Sequence, residues 1–282
     1  MRPSILQIIS IVAVLLLGFC AMELNRQSNR DDSSIQTIRV YCAAGFAEPL
    51  EHLVGEFNRL SDTKAKLSRA AGSGELTGQI KMEYETGLTR GADIFISADE
   101  ELIAIAQSEG IVSSAIPIAK QQLVIAVLAN NQPVAAPLNL NSLSDLVDQN
   151  LRFGIASKTA AAGKLTRALA THEGILDSLE TQKTLDAENV MTLAQALMTG
   201  SLDAAVIWDT TVMQINQQAN KKLLSAVTQT GQGNQPNSNI TAGILTKTRY
   251  PDECQNLIQF ISASKFSREH LQSLGYDAPE QQ

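Results

Sequence analysis

Along the chain, short runs rich in β-branched residues alternate with stretches whose apolar residues recur every three or four positions. Thr37-Ile-Arg-Val-Tyr-Cys-Ala reads as a strand, and Leu50, Leu53, Val54, Phe57 and Leu60 then predict an amphipathic helix over 48–60. Lys66 to Ala70 predicts a short strand, after which Gly72-Ser73-Gly74 opens a helix carrying Leu76, Ile80 and Tyr84. Asp93-Ile-Phe-Ile-Ser predicts a strand, and Leu102, Ile103 and Ala106 a helix that the Asp99-Glu100-Glu101 run caps. The unbroken apolar run Gln122-Leu-Val-Ile-Ala-Val-Leu predicts a strand buried on both faces.

Past Pro133 and Pro137 the rhythm restarts. Ser142 caps a helix with Leu143, Leu146 and Val147; Arg152-Phe-Gly-Ile-Ala is a strand, and residues 163–171 are helical. Asn189 caps a helix that runs through Met198 and is ended by Gly200. Asp203-Ala-Ala-Val-Ile-Trp and Leu223 to Val227 are strands flanking a helix at 210–219. A polar loop from Gly231 to Asn239 precedes a strand at Ile240 to Thr246 and helices at 252–263 and 266–274. Strands alternating with helices predict βαβ units on parallel sheets, and about ten strands exceed one open sheet, so the expected class is α/β with two lobes.

Residues 1–34 break the pattern. Arg2 precedes a strongly apolar stretch from Ile5 to Cys20, and Glu23 to Ser34 is a charged linker. This is the layout of an export segment, read as a cleaved signal, a lipoprotein signal lipidated at Cys20, or an uncleaved single span. Each of the three puts the globule outside the cytoplasm, in the periplasm or on the outer face of the cytoplasmic membrane. Phe19 departs from the small residue that a lipoprotein signal favours before its cysteine.

Composition narrows the function. The 282 residues carry 22 Lys and Arg against 29 Asp and Glu, a net charge of −7, and no basic run, which argues against nucleic acid as a partner. Three cysteines and three histidines supply neither a disulfide framework nor a thiolate metal site. Cys42 and Cys254 either pair or sit as small buried hydrophobes, the second being favoured. His52, His172 and His270 lie in helical patterns far apart in sequence, and the four tyrosines are scattered, which disfavours a ferric-ion site. No nucleophile elbow, Walker sequence or dinucleotide fingerprint occurs, so an enzyme is not expected and an exported hydrolase lacks its nucleophile and base.

Three strand ends carry small neutral residues and open directly into a helix. They are Cys42-Ala-Ala-Gly45-Phe, Ala71-Gly72-Ser73-Gly74-Glu75 and Ala160-Ala-Ala-Gly163-Lys. A helix N-terminus has unpaired N–H groups and partial positive charge, so it holds an anion without a cationic side chain. In α/β sheets ligands settle at the carboxyl ends of strands, where these turns fall. Tight strand–helix turns alone also explain any single one of them. Together they predict an anion cleft.

At these residues the chain resembles the periplasmic molybdate-binding proteins of ABC importers, from about Thr37 to Tyr276. The stretches that carry the resemblance are Val40-Tyr-Cys-Ala-Ala-Gly-Phe, Gly72-Ser-Gly-Glu-Leu-Thr-Gly-Gln-Ile, Gly91-Ala-Asp-Ile-Phe-Ile-Ser-Ala-Asp, Asp186-Ala-Glu-Asn-Val-Met-Thr-Leu and Ala204-Ala-Val-Ile-Trp-Asp. The resemblance implies two Rossmann-like lobes joined by crossover strands, as in type II periplasmic binding proteins. Lobe 1 would be 35–120 with 241–282 and lobe 2 would be 121–240, with crossings near Lys120–Gln121 and Asn239–Thr241. It implies a monomer that captures molybdate or tungstate, needs no other cofactor, and delivers the ion to a membrane permease.

Its ligand contacts map onto Ser73, onto the N–H of Ala161 or Ala162, and onto the N–H of Val190. Two positions depart from the family pattern. Gly45 stands where a serine is expected, and Trp208 where a tyrosine is. Sulfate, phosphate or an organic anion remain as alternative ligands, and an exported sensor as an alternative role.

Overall fold

The computed structural model describes residues 37–87, 91–129, 140–227 and 236–277. The expected export segment at 1–34 with Cys20, the Pro133 and Pro137 break, and the start of the polar stretch from Gly231 lie outside those residues. Strands are β1 (Thr37–Ala43), β2 (Lys64–Ala71), β3 (Ile94–Ser97), β4 (Val112–Leu128), β5 (Phe153–Ala156), β6 (Leu185–Ala187), β7 (Ala204–Trp208), β8 (Leu224–Val227) and β9 (Asn237–Leu245). Helices are α1 (Ala47–Leu60), α2 (Ser73–Thr86), α3 (Glu100–Ser108), α4 (Leu143–Asp148), α5 (Ala161–His172), α6 (Leu176–Gln182), α7 (Val190–Met198), α8 (Asp209–Gln218), α9 (Pro251–Ala263) and α10 (Lys265–Ser273). A single 3₁₀ turn, Ala44–Phe46, joins β1 to α1. None of the described helices is long and apolar enough to cross a membrane.

The strands follow the order β2-β1-β3-β9-β4-β7-β5-β6, with β8 also paired to β4. This corrects the expectation of parallel sheets. β1 with β3, and β5 with β6 and β7, are parallel, but β9 runs antiparallel to β3 and β4, and β4 antiparallel to β7 and β8. The cause is chain routing, because β4 leaves one half of the molecule and β9 comes back along it. Val112 to Gln122 of β4 pair with β9, and Leu123 to Leu128 pair with β7 and β8. Only the second half of β4 is apolar enough to be read as a strand. Its first half holds Pro117, which argues against a strand, and the ladder accommodates that proline with a register shift before Ala119. β9 likewise starts at Asn237, inside the segment expected to be loop, because β4 pairs with its polar end.

Burial follows the strand period. In β1, Ile38, Val40 and Cys42 enter the core under α1 and α9, whereas Tyr41 joins Phe95 and Leu76 on the other face. Both faces are therefore covered, as expected for a sheet flanked by helices on each side. The β4–β8 half has its own core, in which Leu123, Ile125, Phe153, Ile155, Val206 and Ile207 are enclosed by α5, α7 and α8 residues. Cys42 and Cys254 are both buried and free. The short α6 and β6 had no clear apolar signature, since Leu179 and Ala187 are their only fully buried residues.

Candidate functional site

Strand-to-helix turns meet between the two halves. Ala44–Phe46 follow β1, Gly72 precedes α2, Ala160 precedes α5, and Asn189 precedes α7. Gly45, Ser73, Ala161, Ala162, Val190 and Trp208 all line one narrow cleft there, so the six residues singled out from sequence are brought together. Its cavity volume is about 30 Å³, far below the roughly 300–1,000 Å³ of pockets for drug-sized molecules. Among the described residues, the lining contains no acidic, basic or histidine side chain.

Each turn leaves donors free for a reason visible in its caps. The N-caps of α2 and α5, Gly72 and Ala160, place no side chain on the first-turn N–H groups. At α7 the Asn189 side chain accepts from the N–H groups of Met191 and Thr192, at 3.0 and 3.1 Å, leaving that of Val190 uncapped by it. Ser73 is 3% exposed, and its hydroxyl accepts the Ala98 N–H at 3.2 Å, so its own hydrogen remains to be donated.

The two walls also touch. Gly74 N–H donates to the Thr159 carbonyl at 3.1 Å, and a Cβ on Gly74 would lie 2.3 Å from that oxygen, so only glycine permits the approach. Lys164, in the first turn of α5, pairs with Asp99 at 3.4 Å and with Glu101, at the N-terminus of α3. The hydrogen bond to Glu101 is the main reason its ammonium is held above the ordinary lysine range.

Gly45 is less constrained. A Cβ there would meet Val190 Cγ2 at 3.4 Å and Trp208 Cδ1 at 3.6 Å, both ordinary contacts. Its carbonyl accepts from Tyr276 Oη at 3.1 Å and Gln214 Nε2 at 3.2 Å. Burial raises the Tyr276 phenol well above its usual range, so it stays a donor at physiological pH. Asp209, next to Trp208, accepts the Gln122 N–H at 2.9 Å and ties α8 to the crossover strand, while burial pushes its carboxyl upward.

Sequence reasoning missed Gln121 as a lining residue, naming it only as a crossing point. The Gln121-Gln122 pair in a strand carries no motif. It also read the histidines as far apart, whereas the rings of His52 and His270 stack at 4.3 Å once α10 packs on α1. A larger cavity of about 170 Å³ lies at the opposite ends of β1 and β3, lined by Arg39, Asp93, Tyr84 and Lys247 among others. Asp93 there accepts from the Arg39 backbone and Thr248, and Lys247 donates to the Tyr84 carbonyl, so these groups already serve one another.

A family model for bacterial extracellular solute-binding proteins matches residues 38–277. This chain belongs to that family. As a member of it, the chain is an extracellular protein that binds a solute. A Haemophilus influenzae binding protein is 25% identical to it over 225 residues, 79% of this chain and 84% of the relative. Among solved structures, the Azotobacter vinelandii periplasmic molybdate-binding protein is similar at a TM-score of 0.66 and 20% identity, over 86% of this chain and all of the other. A periplasmic thiamin-binding protein is similar at a TM-score of 0.75 and 15% identity, over 89% of this chain and 86% of the other. At these identities the structural likenesses establish the type II binding-protein fold.

Proposed function

We propose that this solute-binding protein captures a small, fully ionised tetrahedral oxyanion, molybdate or tungstate, in the cleft between its lobes. The observation that carries the reading is a cavity of about 30 Å³ lined by helix N-termini and neutral side chains. A dianion enclosed there gains charge-assisted hydrogen bonds from Ser73 and from the backbone N–H groups of the first turns of α2, α5 and α7. A cationic guest such as thiamin or ferric iron would need carboxylates or phenolates, and none lines the cavity among the described residues. Size then discriminates among anions, because donors spaced for molybdate leave the shorter bonds of sulfate imperfectly satisfied. The room beside Gly45 favours the larger members of the class.

Thermal unfolding of the purified protein against molybdate, tungstate, sulfate, phosphate and chromate tests the reading. A ligand at one hundred times its dissociation constant adds about 2.7 kcal/mol of stability. Molybdate and tungstate are expected to raise Tm most. A flat response across the panel would refute an oxyanion as the guest.

A further inference from the structure

Gln121 is 2% exposed yet lines the cleft. It sits on β4 opposite Ser238 of β9, one residue before the last pair of that ladder, where the strand passes from one half to the other. Its Oε1 accepts a hydrogen bond from Thr210 Oγ1 at 3.1 Å, and Thr210, the second residue of α8, is itself fully buried. That is the amide's one hydrogen bond among the described residues. The carbonyl end is thus engaged, and both hydrogens of Nε2 are left for the cavity that the residue lines. Nε2 is not among the sealed, unpartnered side-chain atoms, so its two donors stay accessible at the cleft that the residue lines. An anion in the cleft supplies the missing acceptor.

We propose that Gln121 is a ligand-binding residue whose amide N–H groups donate to the bound oxyanion and make the site select fully deprotonated anions over proton-bearing ones such as hydrogen phosphate. This rests on the oxyanion reading given above. Selection follows from what the lining offers. A hydrogen-bearing anion must place its O–H on an acceptor, and the side-chain carbonyls of the lining are already engaged, Gln121 by Thr210 and Asn189 by the N–H groups of Met191 and Thr192. Gln121 also compensates for Gly45, which offers no hydroxyl. Because it stands on the crossover strand and is clamped to α8, a ligand that engages it contacts that strand as well as the helix turns around it.

The test is calorimetric titration of the wild-type protein, Gln121→Leu and Gln121→Glu with molybdate and with inorganic phosphate near neutral pH. Gln121→Leu keeps the shape and is expected to bind molybdate about tenfold more weakly or worse, the cost of one charge-assisted hydrogen bond. Gln121→Glu replaces donors by an acceptor, so molybdate binding falls further while the affinity ratio of phosphate to molybdate rises by about tenfold or more. A merely structural glutamine would weaken both anions in proportion in Gln121→Glu too, and an unchanged phosphate-to-molybdate ratio there overturns the proposal, as does wild-type affinity for molybdate in both variants. Should a variant fail to fold, Thr210→Val releases Oε1 without touching β4; weaker molybdate binding supports the proposal and unchanged binding overturns it. If the wild-type protein binds no oxyanion at all, the oxyanion reading itself falls, and this inference with it.

Discussion

Ser73 uses one hydroxyl twice. Its oxygen receives the Ala98 N–H, and on the oxyanion reading its hydrogen would be donated to the guest. Ser73→Ala is therefore expected to weaken oxyanion binding by about 1–3 kcal/mol, read by calorimetry, and unchanged affinity would remove Ser73 from the site. Thr211 presents the opposite case. Its side chain is fully buried, and Oγ1 has no partner among the described residues. Replacing it with valine keeps the shape and removes an unsatisfied hydroxyl, so Thr211→Val should stabilise the ligand-free protein by about 1 kcal/mol in denaturant unfolding. A loss of stability would mean that the hydroxyl is hydrogen-bonded in solution.

Helix packing creates a titrating element that neither helix has alone. α10 lies on α1 and stacks His270 on His52, with Phe266 at 6.3 Å from the His270 ring. Burial first, and then the neighbouring His52, hold His270 below its ordinary value of 6.5. The native state thus takes up its proton less readily than the unfolded chain does. Stability from this element is complete above about pH 6.5 and is lost as the pH falls below it. His270→Phe preserves the stack without the proton, so its Tm should fall less between about pH 7 and pH 5.5 than that of the wild type. Parallel curves would show that the pair does not govern the acid response.

At the scale of the molecule, ion pairs join surfaces that belong to different parts of the chain. A lysine in the first turn of a helix opposes the helix dipole, and Lys164 is placed there in α5 all the same. Asp99 and Glu101, across the cleft at the start of α3, supply its reason. The ammonium is about half exposed, so the pair is modest and screened by salt. Lys164→Met should raise the ligand dissociation rate and weaken affinity about two- to fivefold at low ionic strength. The difference should disappear near 1 M salt, where the Debye length is about 3 Å. A salt-independent defect would point to packing instead.

Local chemistry was written plainly in the chain. The helix periods, the Ser142 and Asn189 caps, and the small residues at the strand ends all act over a few neighbouring positions, so the α/β class and the three turns were legible without coordinates. Position within the chain says nothing about which distant surfaces meet. Tertiary structure alone decided that β4 and β9 run antiparallel, that Gln121 faces the cleft, that His52 meets His270, and that Lys164 reaches Asp99. Each of these contacts joins residues dozens to hundreds of positions apart. Their chemistry arises only when packing of distant elements brings them within hydrogen-bonding or van der Waals range.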